Sequence, residues 1–94
     1  MKKIIVTGGL GFIGSNLIEI LLKKNFYVIN LDKITYSSNF YNIKEFKKSK
    51  KYKFIKFDIQ NKNLRKIIFR YKPSGIFNLA AETHVDRSID NPKS

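Results

Sequence analysis

A doubly wound parallel α/β sheet is the fold this sequence predicts, and three observations carry that expectation. Short β-branched or aromatic runs recur four times along the 94 residues, the first three stopped by glycine or aspartate. Between them lie segments whose apolar residues recur at helical spacing. A glycine-rich turn joins the first run to the first helical segment. Strands alternating with helices imply parallel pairing through right-handed crossovers, with four strands in the spatial order 3-2-1-4.

The elements follow in order. Residues 3–7 (KIIVT) read as a buried strand. Residues 12–24 read as a helix, with Phe12, Ile13, Leu17, Ile18, Ile20, Leu21 and Leu22 as its apolar set and two lysines at the negative end of its dipole. Residues 27–31 (YVINL) form the second strand, ending at Asp32. A polar stretch follows, with a loop over 36–39 and a short helix over 42–48. Residues 52–57 (YKFIKF) form the third strand, 61–71 a helix carrying Leu64, Ile67 and Ile68 on one face, and 75–79 (GIFNL) the fourth strand. There is no internal repeat and no linker. A further helix is due after Asn91-Pro92, but the chain stops at Ser94, so a truncated sheet is expected, with residues 1–94 as the N-terminal part of one domain.

Composition narrows the function classes. With no cysteine and a single histidine, His84, neither a disulfide framework nor a metal site is expected. The apolar run at 4–6 is far short of a signal or membrane segment, so a cytoplasmic protein without membrane contact is expected. The net charge of +12 comes from 16 lysines and 3 arginines against 7 acids. The preponderance of lysine, with abundant asparagine and isoleucine, points to a compositional bias and a solvated surface; a generally anion-attracting surface is an alternative. Nucleic-acid binding through residues 44–56 is a competing reading that predicts steep salt dependence. No aromatic-interleaved platform or groove-reading helix supports it, and no nucleic-acid partner is expected.

The turn Gly8-Gly9-Leu10-Gly11-Phe12-Ile13-Gly14 carries the chemistry. Gly8 permits the tight turn, Gly11 lets backbone N–H groups approach a phosphate, and Gly14 allows close helix packing. Free N–H groups at the helix N-terminus, with the dipole behind them, then suit a pyrophosphate. Taken with its strand and helix, this is the Rossmann dinucleotide turn; a ligand-free structural turn is the alternative. Asp32, 18 residues past Gly14 at the end of the second strand, suits ribose hydroxyls and repels a 2′-phosphate, pointing to NAD over NADP. Lys33 beside it softens that preference. Asp58 suits the adenine amino group with the Ile59 backbone against the ring, or else caps the following helix. Past the fourth strand, Ala80 and Ala81 are small enough for backbone to lie along a flat ligand. Thr83, His84, Asp86 and Arg87 gather polar groups at the sheet edge where such folds bind ligands.

Together the turn TGGLGFIGSN, the tract LDKITYSSN, the pair Asp58-Ile59 and the tract NLAAETHVDRSIDNP resemble the start of the dTDP-glucose 4,6-dehydratases, extended short-chain dehydrogenase/reductases, over essentially the whole chain. The DK-x-TY and AAETHVDRS tracts are the specific part; GDP-mannose dehydratases share some of it, usually with Gln where Glu82 stands. The resemblance implies that Phe12 and Ile13 cover the pyrophosphate with Gly8, Gly11 and Gly14. It implies that Asp32, Lys33, Ile34 and Thr35 surround the ribose, and that Asp58 and Ile59 hold the adenine. Ala80, Ala81, Glu82, Thr83 and His84 would run along NAD, while His84 and Arg87 would line the nucleotide-sugar site. It further implies hydride transfer from sugar C4 to NAD, loss of water across C5–C6, and hydride return to C6. Family members are homodimers, a state not expected for this fragment.

The family's catalytic Tyr-x-x-x-Lys and Asp-Glu residues are expected beyond position 94, leaving no catalytic residue here. One Tyr-x-x-x-Lys does occur, Tyr52 to Lys56, but in the third strand, where chance in a lysine-rich chain explains it. On this reading the chain alone is inactive, with the substrate domain absent and strand four an exposed edge. A freestanding NAD-binding module is the alternative.

Overall fold

The computed structural model describes residues 1–34 and 39–79. The strands β1 (Lys3–Thr7), β2 (Tyr27–Asp32), β3 (Tyr52–Lys56) and β4 (Gly75–Asn78) form one parallel sheet in the order β3-β2-β1-β4. The helices α1 (Phe12–Lys23) and α2 (Leu64–Tyr71) and a 3₁₀ turn (Phe40–Ile43) connect them. This is the expected Rossmann-type order. Parallel register sets Ile5 beside Ile29 and Ile76, and Val6 beside Asn30 and Phe77, so β1 and β2 are central.

Strand alternation divides the apolar side chains between two cores. Ile4, Val6 and Val28 face Ile18, Leu21 and Leu22 of α1, with Leu10, Ile43, Phe46 and Tyr52 closing that side. Ile5, Ile29 and Leu31 point the other way, against Ile55, Leu64, Ile67, Ile68 and Tyr71. Each fully buried aliphatic side chain contributes about 1.5–3 kcal/mol, and the two layers make the sheet doubly wound. On α1 the buried stripe is Gly14, Ser15, Ile18, Leu21 and Leu22. Phe12, Ile13 and Ile20, expected in the same apolar set, are more than half exposed. The carboxyl end of α1 is tied down: Lys51 Nζ donates to the Leu22 carbonyl at 3.0 Å and to Asn25 Oδ1 at 3.1 Å.

Two helical expectations need correction. Over 42–48 there is no α-helix; the 3₁₀ turn starts earlier, where Asn39 Oδ1 accepts from the Tyr41 amide, and turns follow. Ile43, at the end of the 3₁₀ turn, and Phe46, in the turns that follow, are the segment's buried anchors in the core beside α1. The helix expected over 61–71 begins at Leu64. Asp58 Oδ1 accepts from the Gln60 amide and Asn61 Oδ1 from the Asn63 amide, so side-chain turns take the donors that a first helical turn would leave open. The strand bounds shift by no more than one residue.

Candidate functional site

The C-terminal ends of the strands meet on one edge of the sheet, and the turn off β1 dominates it. Gly8 takes φ 76°, a conformation open to glycine at little cost. A Cβ on Gly14 would overlap the Gly8 carbonyl, so the helix packs against its own entry turn as well as over the sheet. At Gly11 the nearest atom to an added Cβ is the Gly8 carbonyl oxygen, 3.6 Å away, which leaves this stretch of backbone open to approach.

The amide bookkeeping is informative. Gly8 N–H donates to the Leu31 carbonyl at 2.9 Å and Gly11 N–H to the Gly8 carbonyl at 3.2 Å. Gly9 N–H donates to Asn30 Oδ1, and Leu10 N–H to Asp32 Oδ2, each at 2.9 Å. Asn39 N–H and Asn42 Nδ2 both donate to the Leu10 carbonyl. The first amides without an acceptor among the described residues are those of Phe12, Ile13 and Gly14. They open α1, whose N-cap Gly11 supplies no side-chain hydrogen bond and whose first turn holds no acid. Unpaired donors with the positive end of the helix dipole behind them suit a phosphate. Exposed Phe12 and Ile13 side chains flank them.

Asp32 joins this turn to the end of β2. Besides Leu10, its carboxylate accepts from the Ile34 amide through Oδ1 at 2.8 Å. Ile34 has φ 63°, rare for a β-branched residue and costing about 1–3 kcal/mol, so the carboxylate helps hold a strained residue. Lys33 beside it is exposed. Asp58 and Ile59 follow β3 on the same edge. Asp58 is exposed and turns its carboxylate to Gln60, not to the first turn of α2, so it is not that helix's cap. Ile59 lines a small pocket of about 70 Å³ with Ile5, Thr7, Leu64, Ile68, Ile76 and Asn78. Thr7 Oγ1 donates to Asn78 Oδ1 at 2.6 Å, fastening β1 to β4 there.

The structure thus gathers Gly8, Gly11, Phe12, Ile13, Gly14, Asp32 and Ile34 around one turn, with Lys33 alongside and Asp58 and Ile59 on the same edge. Thr35, Ala80, Ala81, Glu82, Thr83, His84 and Arg87 lie outside the described residues. The sequence reading missed Asn30, fully buried in β2, and the contact of Tyr52, whose hydroxyl accepts from Asn30 Nδ2 at 3.0 Å. The available signal was an amide side chain inside an otherwise apolar strand, which demands buried partners. Burial pushes the Tyr52 phenol above its ordinary value; the Asn30 hydrogen bond opposes this and the Asp32 charge adds to it.

A family model described as GDP-mannose 4,6 dehydratase matches residues 5–94. The chain is similar to the dTDP-glucose 4,6-dehydratase of Haemophilus influenzae, at 46% identity over 95% of this chain and 27% of that protein. Among solved structures, it is similar to a Bacillus anthracis dTDP-glucose 4,6-dehydratase in complex with NAD (TM-score 0.78, 38% identity, 84% of this chain and 26% of that one). It is also similar to the Streptomyces venezuelae dTDP-glucose 4,6-dehydratase DesIV with NAD and TYD bound (TM-score 0.76, 36% identity, 95% and 29%). The chain spans about a quarter of the length of these relatives.

Proposed function

Since the chain belongs to the GDP-mannose 4,6 dehydratase family, we propose that residues 1–94 are the N-terminal, NAD-holding part of a dTDP-glucose 4,6-dehydratase. The observation that carries this is the set of three unpaired amides, at Phe12, Ile13 and Gly14, at an acid-free helix start. In this reading Gly8, Gly11 and Gly14 shape the turn, the amides take the pyrophosphate, and the Phe12 and Ile13 side chains cover it. Asp32, with Lys33, Ile34 and Thr35, surrounds the adenosine ribose and disfavours a 2′-phosphate. Asp58 and Ile59 meet the adenine, and Ala80 to His84 continue along the cofactor. His84 and Arg87 belong to the nucleotide-sugar side. NAD held by these residues would supply the hydride acceptor that sugar oxidation needs. The AAETHVDRS tract, with Glu82, favours a dTDP sugar over a GDP sugar. An intracellular dinucleotide supports a cytoplasmic location.

No residue of the chain is assigned a proton-transfer role. Tyr52 is committed to Asn30 inside the core and Lys56 is exposed, which fits chance spacing and no catalytic pair. Calorimetric titration of the chain tests the reading: micromolar NAD binding is expected, with NADP at least about tenfold weaker, and no turnover of dTDP-glucose. Equal affinity for both dinucleotides, or formation of a 4-keto sugar, contradicts it.

A further inference from the structure

We propose that Asn30 and Tyr52 are positioning residues for the pyrophosphate, holding the Gly9 amide inward so that the amides of Phe12, Ile13 and Gly14 remain as the ligand's donors. This rests on the NAD reading above and assigns a role to two residues that it does not use.

Asn30 is fully buried, and an amide side chain in that setting is costly unless both ends are paired. Both ends are: Oδ1 accepts from Gly9 N–H at 2.9 Å and Nδ2 donates to Tyr52 Oη at 3.0 Å. Only a side chain with an acceptor and a donor diverging from one planar group meets both demands, and among neutral residues of this size that is asparagine. Leucine would strand the Gly9 amide, and aspartate would bury a charge.

The contact also explains a glycine that the phosphate pattern leaves unexplained. A Cβ on Gly9 would overlap Asn30 Oδ1 and Ile18 Cδ1, so the turn reaches the amide only when residue 9 is bare. Tyr52 is in turn fixed by Phe46, edge-on at 5.1 Å between ring centroids and 75° between planes. A chain of contacts therefore runs from Phe46 through Tyr52 and Asn30 to the second residue of the turn. Freed from Asn30, the Gly9 amide would have no protein acceptor, and the turn would lose one of the bonds that set the direction of the amides after it.

Asn30→Ala and Tyr52→Phe test this by NAD titration, by NMR titration with adenosine, which lacks the pyrophosphate, and by hydrogen exchange at Gly9. NAD affinity should fall about tenfold in Asn30→Ala and about threefold in Tyr52→Phe, the scale of one buried hydrogen bond. Adenosine affinity should stay within about twofold, and the Gly9 amide should exchange faster than those of Ile5 and Ile29. Should Asn30→Ala fail to fold, Tyr52→Phe, which keeps the ring, decides alone. NAD affinity left intact, or NAD and adenosine affinity falling in parallel, overturns the positioning role and leaves NAD binding standing. Failure of the unsubstituted chain to bind NAD overturns both.

Discussion

At position 52 a phenol lies in the core with its oxygen hydrogen-bonded to Asn30, and its ionisation is coupled to folding. Burial holds its pKa above the ordinary 10.0 that the unfolded chain keeps. As pH rises past about 10, the unfolded state releases this proton first and stability falls until the folded value is passed. Below pH 10 the contribution is fully present. Tyr52→Phe should therefore melt below the unsubstituted chain at pH 9, with the gap narrowing at pH 11. A gap that stays constant contradicts the assignment. The sequence offered no sign of the Asn30 contact that Tyr52 makes. Its partner Asn30 lies 22 residues away in sequence, and the Gly9 amide lies 21 residues beyond Asn30. Pairing over such separations becomes visible only once the strands are in register.

Among the elements, strands were easier to read than helices. A β-branched run between glycine and aspartate has few alternatives, and all four strands appear within a residue of expectation. The helix starts were misjudged where Asn39, Asp58 and Asn61 use their side chains to make turns, a local competition that apolar spacing does not register. The end of α1 depends on a contact from outside it. Lys51, at the entry to β3, donates to the Leu22 carbonyl and to Asn25, whose φ of 72° closes the helix. Lys51→Met should cost about 1 kcal/mol and lower the melting temperature by about 4–8 °C in a domain of this size. NAD affinity should not change, because the unpaired amides proposed to take the pyrophosphate sit at the other end of α1. An unaltered melting temperature contradicts the capping role.

Taken whole, the molecule carries far more positive charge than its contacts neutralise. Against a net charge of +12, the ion pair recorded among the described residues is Lys23 with Glu19, 3.8 Å apart and exposed. Lys23, Lys44, Lys47, Lys48 and Lys51, against Glu19 and Glu45, line one open cleft between α1 and the segment before β3. Self-repulsion of this kind is screened over about 10 Å at 0.1 M salt. The melting temperature should therefore climb as sodium chloride rises from about 20 to 300 mM, and a flat or falling curve contradicts net repulsion. Charge was legible in composition alone; its concentration in one cleft was not, because Lys23 joins the others only through the fold. The site was legible in outline for a similar reason: glycines and terminal acids announce themselves, whereas the internal bonds that orient them do not.

Asp32 finally constrains how this protein can be redesigned or can diverge. Its carboxylate tethers Leu10 and Ile34 at once, so if it sets the dinucleotide preference as proposed above, removing its charge to change that preference also unfastens both contacts. Leu10 N–H uses Oδ2 and Ile34 N–H uses Oδ1, so asparagine or serine, no less than alanine or glycine, leaves at least one of the two amides without its acceptor, and any substitution at this position loosens the turn.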